Sequence, residues 1–137
     1  MPQERSGTPV LNHFKLSTGG QGDLTDVSTR PTTIYGIDAF NNSTGIVAYM
    51  KLYNISTGIS SVTSTAGTPD AVYLIPAAVG PSTQAVGGGF TKTFPRGLNF
   101  RVGLSYSLVT GVANNSTVAV GANVVVVNIQ YDSPTLG

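Results

Sequence analysis

Charged residues are scarce in this sequence. Only 9% of its 137 residues are Asp, Glu, Lys or Arg, against roughly 25% in an ordinary soluble domain. A domain with so few charged side chains has little electrostatic protection against self-association. We therefore expect other subunits to cover much of its surface, which favours a structural role in an assembly.

Cysteine is absent, which excludes disulfides, thiolate metal sites and cysteine nucleophiles. The formal net charge of +1 provides no long-range field for binding nucleic acid or an acidic membrane. No apolar run approaches the roughly 18 residues of a membrane span. Residues 1–5 are polar and lack the apolar core of a signal peptide, so we expect synthesis and initial solubility in a cytoplasm.

The residues of common catalytic sites are also scarce. His13 is the one histidine, and in its polar surroundings we expect a solvated side chain rather than the base of a catalytic triad. Among the acids only Asp23 and Asp26 are close in sequence, and they complete no calcium-binding loop. The three glycines at 87–89 precede a strand pattern rather than a helix, which excludes a phosphate loop. We predict no enzymatic activity, no metal and no cofactor.

The composition is instead typical of β-structure. Val, Ile, Thr, Tyr and Phe dominate the apolar segments, and 17 glycines and 8 prolines divide them into short runs. The length permits one domain with a sizeable core. We predict an all-β fold, a single β-sandwich of jelly-roll or immunoglobulin-like type with about seven or eight strands.

The chain divides into two predicted parts. Residues 1–31 are polar, and we interpret them as an extended N-terminal arm, with one short strand near residues 10–16 and a disordered tail as the alternative. Residues 32–137 alternate regularly and form the predicted sandwich domain.

The clearest predicted unit is a hairpin around the polar turn at 41–45. In its first strand Tyr35, Ile37 and Ala39 share one face. In its second strand the pattern predicts an inward face at 46, 48, 50 and 52. The opposite face, with Val47, Tyr49, Lys51 and Tyr53, is predicted to point outward.

Six further segments carry strand patterns, one of them the short segment 117–120. We predict an edge strand at 72–76, because it includes a proline, and strands at 90–94 and 98–102 on either side of a tight corner at 95–97. The segment 104–108 alternates like a half-buried strand. The valines at 124–127 are predicted to lie centrally in a sheet or at a subunit interface, buried on both faces, since an uncharged β-branched run on an open edge invites aggregation.

Nine residues are predicted to contribute to interfaces. Three cations lie within ten residues, and no acid lies between 70 and 132, so we expect a basic corner that forms salt bridges at the rim of an interface. The tyrosines of the predicted outward face are suited to an interface core or to stacking on a sugar ring, and apolar residues of the arm are suited to attachment. The candidates are Val10, Leu11, Phe14, Tyr49, Lys51, Tyr53, Lys92, Arg96 and Arg101.

Five segments between 34 and 131 are distinctive in their order and spacing: IYGIDAFN (34–41), YMKLYN (49–54), PRGLNF (95–100), GLSYSLVT (103–110) and NIQY (128–131). Together they resemble a group of small virion proteins of tailed bacteriophages, which includes head decoration (cement) proteins built on a β-sandwich. The resemblance covers most of the chain but not residues 1–31, and that group has no catalytic residues.

The resemblance implies a non-enzymatic protein of the virion, made in the host cytoplasm, that binds the outer surface of the phage head. The implied partners are the major capsid protein and sister copies, in a homotrimer, with no nucleic acid, membrane or small-molecule substrate. Two alternatives stay open: a component of the tail, neck or fibre, and a module that binds host carbohydrate.

Overall fold

The computed structural model describes residues 10–20, 23–56, 68–80, 87–113, 116 and 118–133. The secondary-structure elements of this part of the chain are eight β-strands, which form two antiparallel sheets of four strands each. This confirms the all-β prediction. No helix of the described residues is long and apolar enough to cross a membrane. The strands are β1 (Leu11–Leu16), β2 (Thr25–Ser28), β3 (Thr32–Asn41), β4 (Ala48–Tyr53), β5 (Ala71–Ile75), β6 (Phe90–Phe100), β7 (Leu104–Val109) and β8 (Val125–Asp132).

The two sheets enclose a common apolar core. Sheet A has the strand order β1-β8-β3-β6 and sheet B the order β2-β7-β4-β5. Fully buried side chains come from both, for example Ile37 and Ile129 of sheet A and Met50 and Leu104 of sheet B. The sheets therefore stack face to face in a sandwich-like arrangement, with β1 over β2 at one open edge and β6 over β5 at the other.

The predicted hairpin is wrong. Strand β3 pairs with β6 and β8, whereas β4 pairs with β5 and β7, so the chain crosses between sheets at 42–47. The predicted turn is present: the Asn41 amide donates to the Ile46 carbonyl at 2.9 Å and accepts from the Ser43 N–H at 2.9 Å. Turn chemistry fixes the local bend, but it does not specify which strand becomes the neighbour.

Strand β3 contains an irregularity at Tyr35. Its pairing with both neighbours shifts register between Ile34 and Gly36, which is the signature of a bulge. Ile34, Ile37 and Ala39 are fully buried, whereas Tyr35 is 36% exposed. The prediction that Tyr35 shares a face with Ile37 is therefore wrong, because the extra residue reverses the alternation.

Strand β6 is a single edge strand rather than two strands on either side of a corner. Both of its halves pair with β3, and the register breaks between Thr93 and Leu98. Gly97 has a φ of +82°, which side chains rarely adopt. The proline and glycine thus form an irregular stretch within one strand, a device that discourages pairing at sheet edges.

Strand β7 is buried on both faces. All six of its residues are buried, so the prediction of a half-buried strand is wrong. The outer face of sheet B is covered where Leu24 and Ile55 pack on Tyr53 and where the Lys51 ammonium donates to the Ala113 carbonyl. Alternation in sequence does not reveal that other segments cover the second face.

The valine run lies centrally, as predicted. Strand β8 pairs with β1 on one side and β3 on the other. Val125 and Val127 are fully buried in the core, but Val124 and Val126 are only partly buried. Burial on both faces is therefore wrong, because Val126 belongs to the outer face of sheet A.

The predicted arm is not confirmed. Within residues 1–31, the predicted short strand is present as β1, which pairs with β8 along six residue pairs. Strand β2 pairs with β7. The described part of this segment thus contributes one edge strand to each sheet, and residues 1–9 lie outside the described residues.

The triple glycine has a packing role. A Cβ at Gly88 would lie 2.2 Å from the Asn41 carbonyl oxygen, and a Cβ at Gly89 would lie 2.2 Å from that of Ala39. Gly89 also has a φ of +127°. These glycines let the chain approach the end of β3 closely before β6 begins.

Candidate interaction surfaces

A contiguous apolar patch lies on the outer face of sheet A. Leu16, Val126 and Phe40 are direct neighbours on adjacent strands, and Phe14 follows two residues from Leu16 on the same face. Phe14, Phe40 and Leu16 are 58%, 53% and 41% exposed. A cavity of about 270 Å³ adjoins Phe40 and Val126. We call these four residues the apolar patch; side chains this exposed and contiguous are typical of contact surfaces.

Beyond the apolar patch, sheet A has polar side chains bonded to one another. The Asn12 amide donates to Asn128 at 2.9 Å and accepts from the Gln130 amide at 3.0 Å. Tyr35 donates to Asp132 at 3.3 Å. The outer face of sheet A is therefore divided into an apolar end and a polar end.

The three predicted basic residues lie along one sheet edge. Lys92 and Arg96 belong to β6, and Arg101 follows its last residue; all three are exposed. Lys92 lies 5.8 Å from the centroid of the Phe94 ring. We call these three cations the basic strip. Among the described residues, none of them has an acidic partner.

The acids, by contrast, are mostly used within the fold. Asp23 is fully buried and pairs with Lys15 at 3.4 Å. Asp26 accepts from the Ser105 hydroxyl at 2.8 Å, and Asp70 accepts from the Asn54 N–H at 2.7 Å. Internal partners thus occupy most of the described carboxylates, and the basic strip remains available to an external acidic group.

The three candidates from the N-terminal segment are exposed. Val10, Leu11 and Phe14 are 49%, 43% and 58% exposed. Leu11 and Phe14 belong to β1, where their side chains lie on opposite faces of the sheet. Only Phe14 therefore joins the apolar patch, and it does so as part of a sheet rather than of an arm.

The predicted outward face of β4 is not exposed. Lys51 and Tyr53 are fully buried, so the prediction that they face solvent is wrong; Tyr49 is partly buried. Burial lowers the pKa of the Lys51 ammonium and raises that of the Tyr53 hydroxyl. Lys51 and Tyr53 lie on the outer face of sheet B, where the segments that contain Leu24, Ile55 and Ala113 cover them.

A cluster of polar side chains closes the edge between β1 and β2. The His13 Nε2 and the Tyr106 hydroxyl share a hydrogen bond of 2.8 Å, and their rings meet edge to face at 5.5 Å. The Lys15 ammonium donates to the Thr25 hydroxyl at 2.5 Å and pairs with Asp23. We call these five residues the polar edge cluster. His13 is thus not the solvated residue expected from the sequence.

The environment of the polar edge cluster shifts two of its pKa values. Burial, and to a smaller extent the nearby Lys15 charge, lowers the pKa of His13. Burial raises the pKa of the Tyr106 hydroxyl strongly. Both groups are therefore neutral near pH 7, and their hydrogen bond joins β1 of sheet A to β7 of sheet B.

The opposite edge, between β5 and β6, is closed by aromatic rings. Tyr73 lies 5.8 Å from the ring of Phe90 and 6.5 Å from that of Phe94, and all three are partly exposed. The sequence did not lead us to predict these three residues, which we call the aromatic edge cluster. Its only sequence signal is the i, i+4 spacing of the phenylalanines, which the two-residue period of a strand places on one face.

The described residues contain no group of three or more His, Cys, Asp or Glu that is placed to hold a metal ion. No family model matches the chain, and no curated protein or solved structure matches it. The resemblance to phage virion proteins therefore stays a prediction.

Proposed function

We propose that this chain is a non-enzymatic structural protein of a tailed-phage particle, which decorates the outer surface of the assembled head. The apolar patch is the observation that carries this proposal. Three of its side chains are at least 41% exposed on the outer face of sheet A, and only 9% of the chain is charged. Burying such a surface against another protein removes its contact with water, which drives association.

The strand order supports a jelly-roll type for the fold. Neighbouring strands pair as β1 with β8, β2 with β7, β3 with β6 and β4 with β5. This is the order that results when one long antiparallel ribbon of four strand pairs folds over on itself. Eight-stranded jelly rolls occur in viral capsid proteins, but also in lectins and cupins, so the fold alone does not select the function.

The unpaired charges indicate the chemistry of the partner. The basic strip has no acidic partner among the described residues, and three cations are too few for a nucleic-acid footprint. An acidic region of the coat protein fits them. Binding to the assembled shell, and not to free coat subunits, then stabilises the shell by mass action.

Sister copies are the second proposed partner, in a homotrimer, and a tail, neck or fibre location is the alternative to the head. Light scattering measures the oligomer, and a stable monomer at micromolar concentration contradicts the trimer. Electron microscopy of labelled particles distinguishes head from tail. The carbohydrate alternative loses its stacking pair, because Tyr53 is fully buried.

The apolar patch is tested by binding to particles that lack this protein. Phe14→Ser and Phe40→Ser are each expected to weaken binding by about tenfold, as for truncated aromatic residues at other interfaces. Val112→Ser, at a residue that is 61% exposed outside the patch, is the matched control. Unchanged occupancy with both phenylalanine variants contradicts the proposal.

A further inference from the structure

Strand β5 is an open, apolar edge of sheet B. It pairs with β4 on one side only among the described residues, and its sequence AVYLI has no charge, proline or glycine. Val72 and Leu74 are 40% and 49% exposed on its outer face. An edge strand presents unpaired N–H and C=O groups to an incoming strand, and β5 has none of the irregularity that protects β6.

Lys92 extends from β6, the strand of sheet A that faces β5. Alternation places Lys92 on the same side of β6 as Phe90 and Phe94, the two rings that contact Tyr73 of β5. Lys92 is exposed, and its partner is the Phe94 ring rather than a carboxylate. Lys92 therefore extends from β6 between the two phenylalanines, on the side that faces Tyr73 and the open edge of β5.

We propose that β5 binds an extended segment of a partner protein, in which a carboxylate lies between two apolar residues. The segment adds to sheet B as a fifth strand, a common mode of peptide recognition. Opposite Tyr73 its side chain points inward, toward Lys92, which selects Asp or Glu. Opposite Val72 and Leu74 its side chains point outward and extend the exposed apolar surface, which selects apolar residues.

Charge argues against a second copy of this chain as the occupant. Two β5 strands can pair about a two-fold axis at Tyr73, since Val72 would then meet Leu74. The same axis brings the two Lys92 ammonium groups to one edge, where like charges oppose each other. An acidic segment removes that repulsion and supplies the missing partner.

This inference rests on the proposed function for the claim that the partner is a protein, but its test needs no phage particle. The isotope-labelled protein is titrated with a peptide that has a Val-Glu-Val centre flanked by threonines, and with a control peptide that has Lys in place of Glu. Chemical-shift changes are expected at residues 71–75 and at Lys92. The lysine peptide is expected to bind at least about fivefold more weakly, since the ion pair becomes a repulsion.

Charge reversal supplies the decisive variant. Lys92→Glu is expected to prefer the lysine peptide. Arg30→Glu changes the net charge equally at an exposed residue that follows β2, at the opposite edge of the sandwich, and is expected to keep the original preference within about twofold. The proposal is overturned by an absence of chemical-shift changes at β5, by equal binding of both peptides, or by a dimer formed through β5. In the first two cases the role left for Lys92 is to discourage other strands from pairing with β5. Failure here leaves the apolar patch and its particle-binding test unaffected.

Discussion

The two sides of the sandwich, where the edge strands of the two sheets face each other, are held together by different interactions. Between β1 and β2, the polar edge cluster pairs a buried carboxylate, an ammonium group and two aromatic residues with one another. Between β5 and β6, three aromatic rings pack together beside Lys92, which contacts the Phe94 ring and has no acidic partner among the described residues.

This difference separates a structural edge from a binding edge. The hydrogen bonds of the polar edge cluster join β1 of sheet A to β2 and β7 of sheet B, and its ion pair lies within the fold. At the aromatic edge cluster, one side of β5 has no neighbouring strand and Lys92 has no acidic partner among the described residues. Substitutions at the first edge should therefore change stability most, and substitutions at the second should change binding.

The largest expected effect is the loss of the Asp23 carboxylate. Asp23 accepts two hydrogen bonds from Thr18, at 2.9 and 3.1 Å, and pairs with Lys15. Its φ of +47° also disfavours alanine. We expect Asp23→Ala to lower the free energy of unfolding by about 3 kcal/mol, because it leaves a partly buried ammonium group unpaired.

Urea denaturation measures this change. Asp38→Ala removes a partly exposed acid with no hydrogen bond to its carboxylate among the described residues, and it is expected to cost no more than about 0.5 kcal/mol. Equal costs for the two variants would show that the polar edge cluster does not stabilise the fold.

An intermediate effect comes from one substitution made at both edges. Tyr106→Phe removes a buried hydroxyl bonded to His13, so we expect a loss of about 1.5 kcal/mol. Tyr73→Phe removes a hydroxyl with no hydrogen-bond partner among the described residues, so we expect a change within about 0.5 kcal/mol.

The ring of Tyr73 should matter more than its hydroxyl. Tyr73→Ala is expected to lower stability by about 2 kcal/mol, since Phe90 and Phe94 lose their packing partner. Thermal and urea unfolding of the three variants checks the comparison. A larger loss for Tyr73→Phe than for Tyr106→Phe would reverse the roles of the two edges.

The sequence was sufficient to predict strands but not their neighbours. Alternation and glycine, asparagine and proline signals correctly located β1, β4, β5 and β8. The turn after Asn41 was recognised, but the same residues suit a hairpin and a crossing between sheets, so the pairing of β3 with β4 was wrong. Pairing depends on contacts far apart in sequence, which local patterns do not specify.

The candidate residues show the same limit. The sequence indicated that Lys51 and Tyr53 share a face, but not that Leu24, Ile55 and Ala113 would cover it. Phe14, an interface candidate from the sequence, is exposed. Its neighbours Phe40 and Val126 could be recognised only from the register of three strands. A surface formed by residues of several strands could therefore be recognised only from the structure.

The smallest expected effect is a pH dependence at the polar edge. His13 is the only histidine, and the folded state lowers its pKa below the ordinary value of 6.5. The Lys15 charge and the Tyr106 hydroxyl face it, and burial raises the pKa of that hydroxyl. As the pH falls below 6.5, the unfolded chain binds a proton that the folded chain excludes, so stability declines until the lower folded pKa is reached. Denaturation midpoints across this range should show the decline, and His13→Gln should remove the part of it that comes from the histidine. A slope that persists in the variant, or stability that rises toward lower pH, would mean that His13 does not sense pH at this edge.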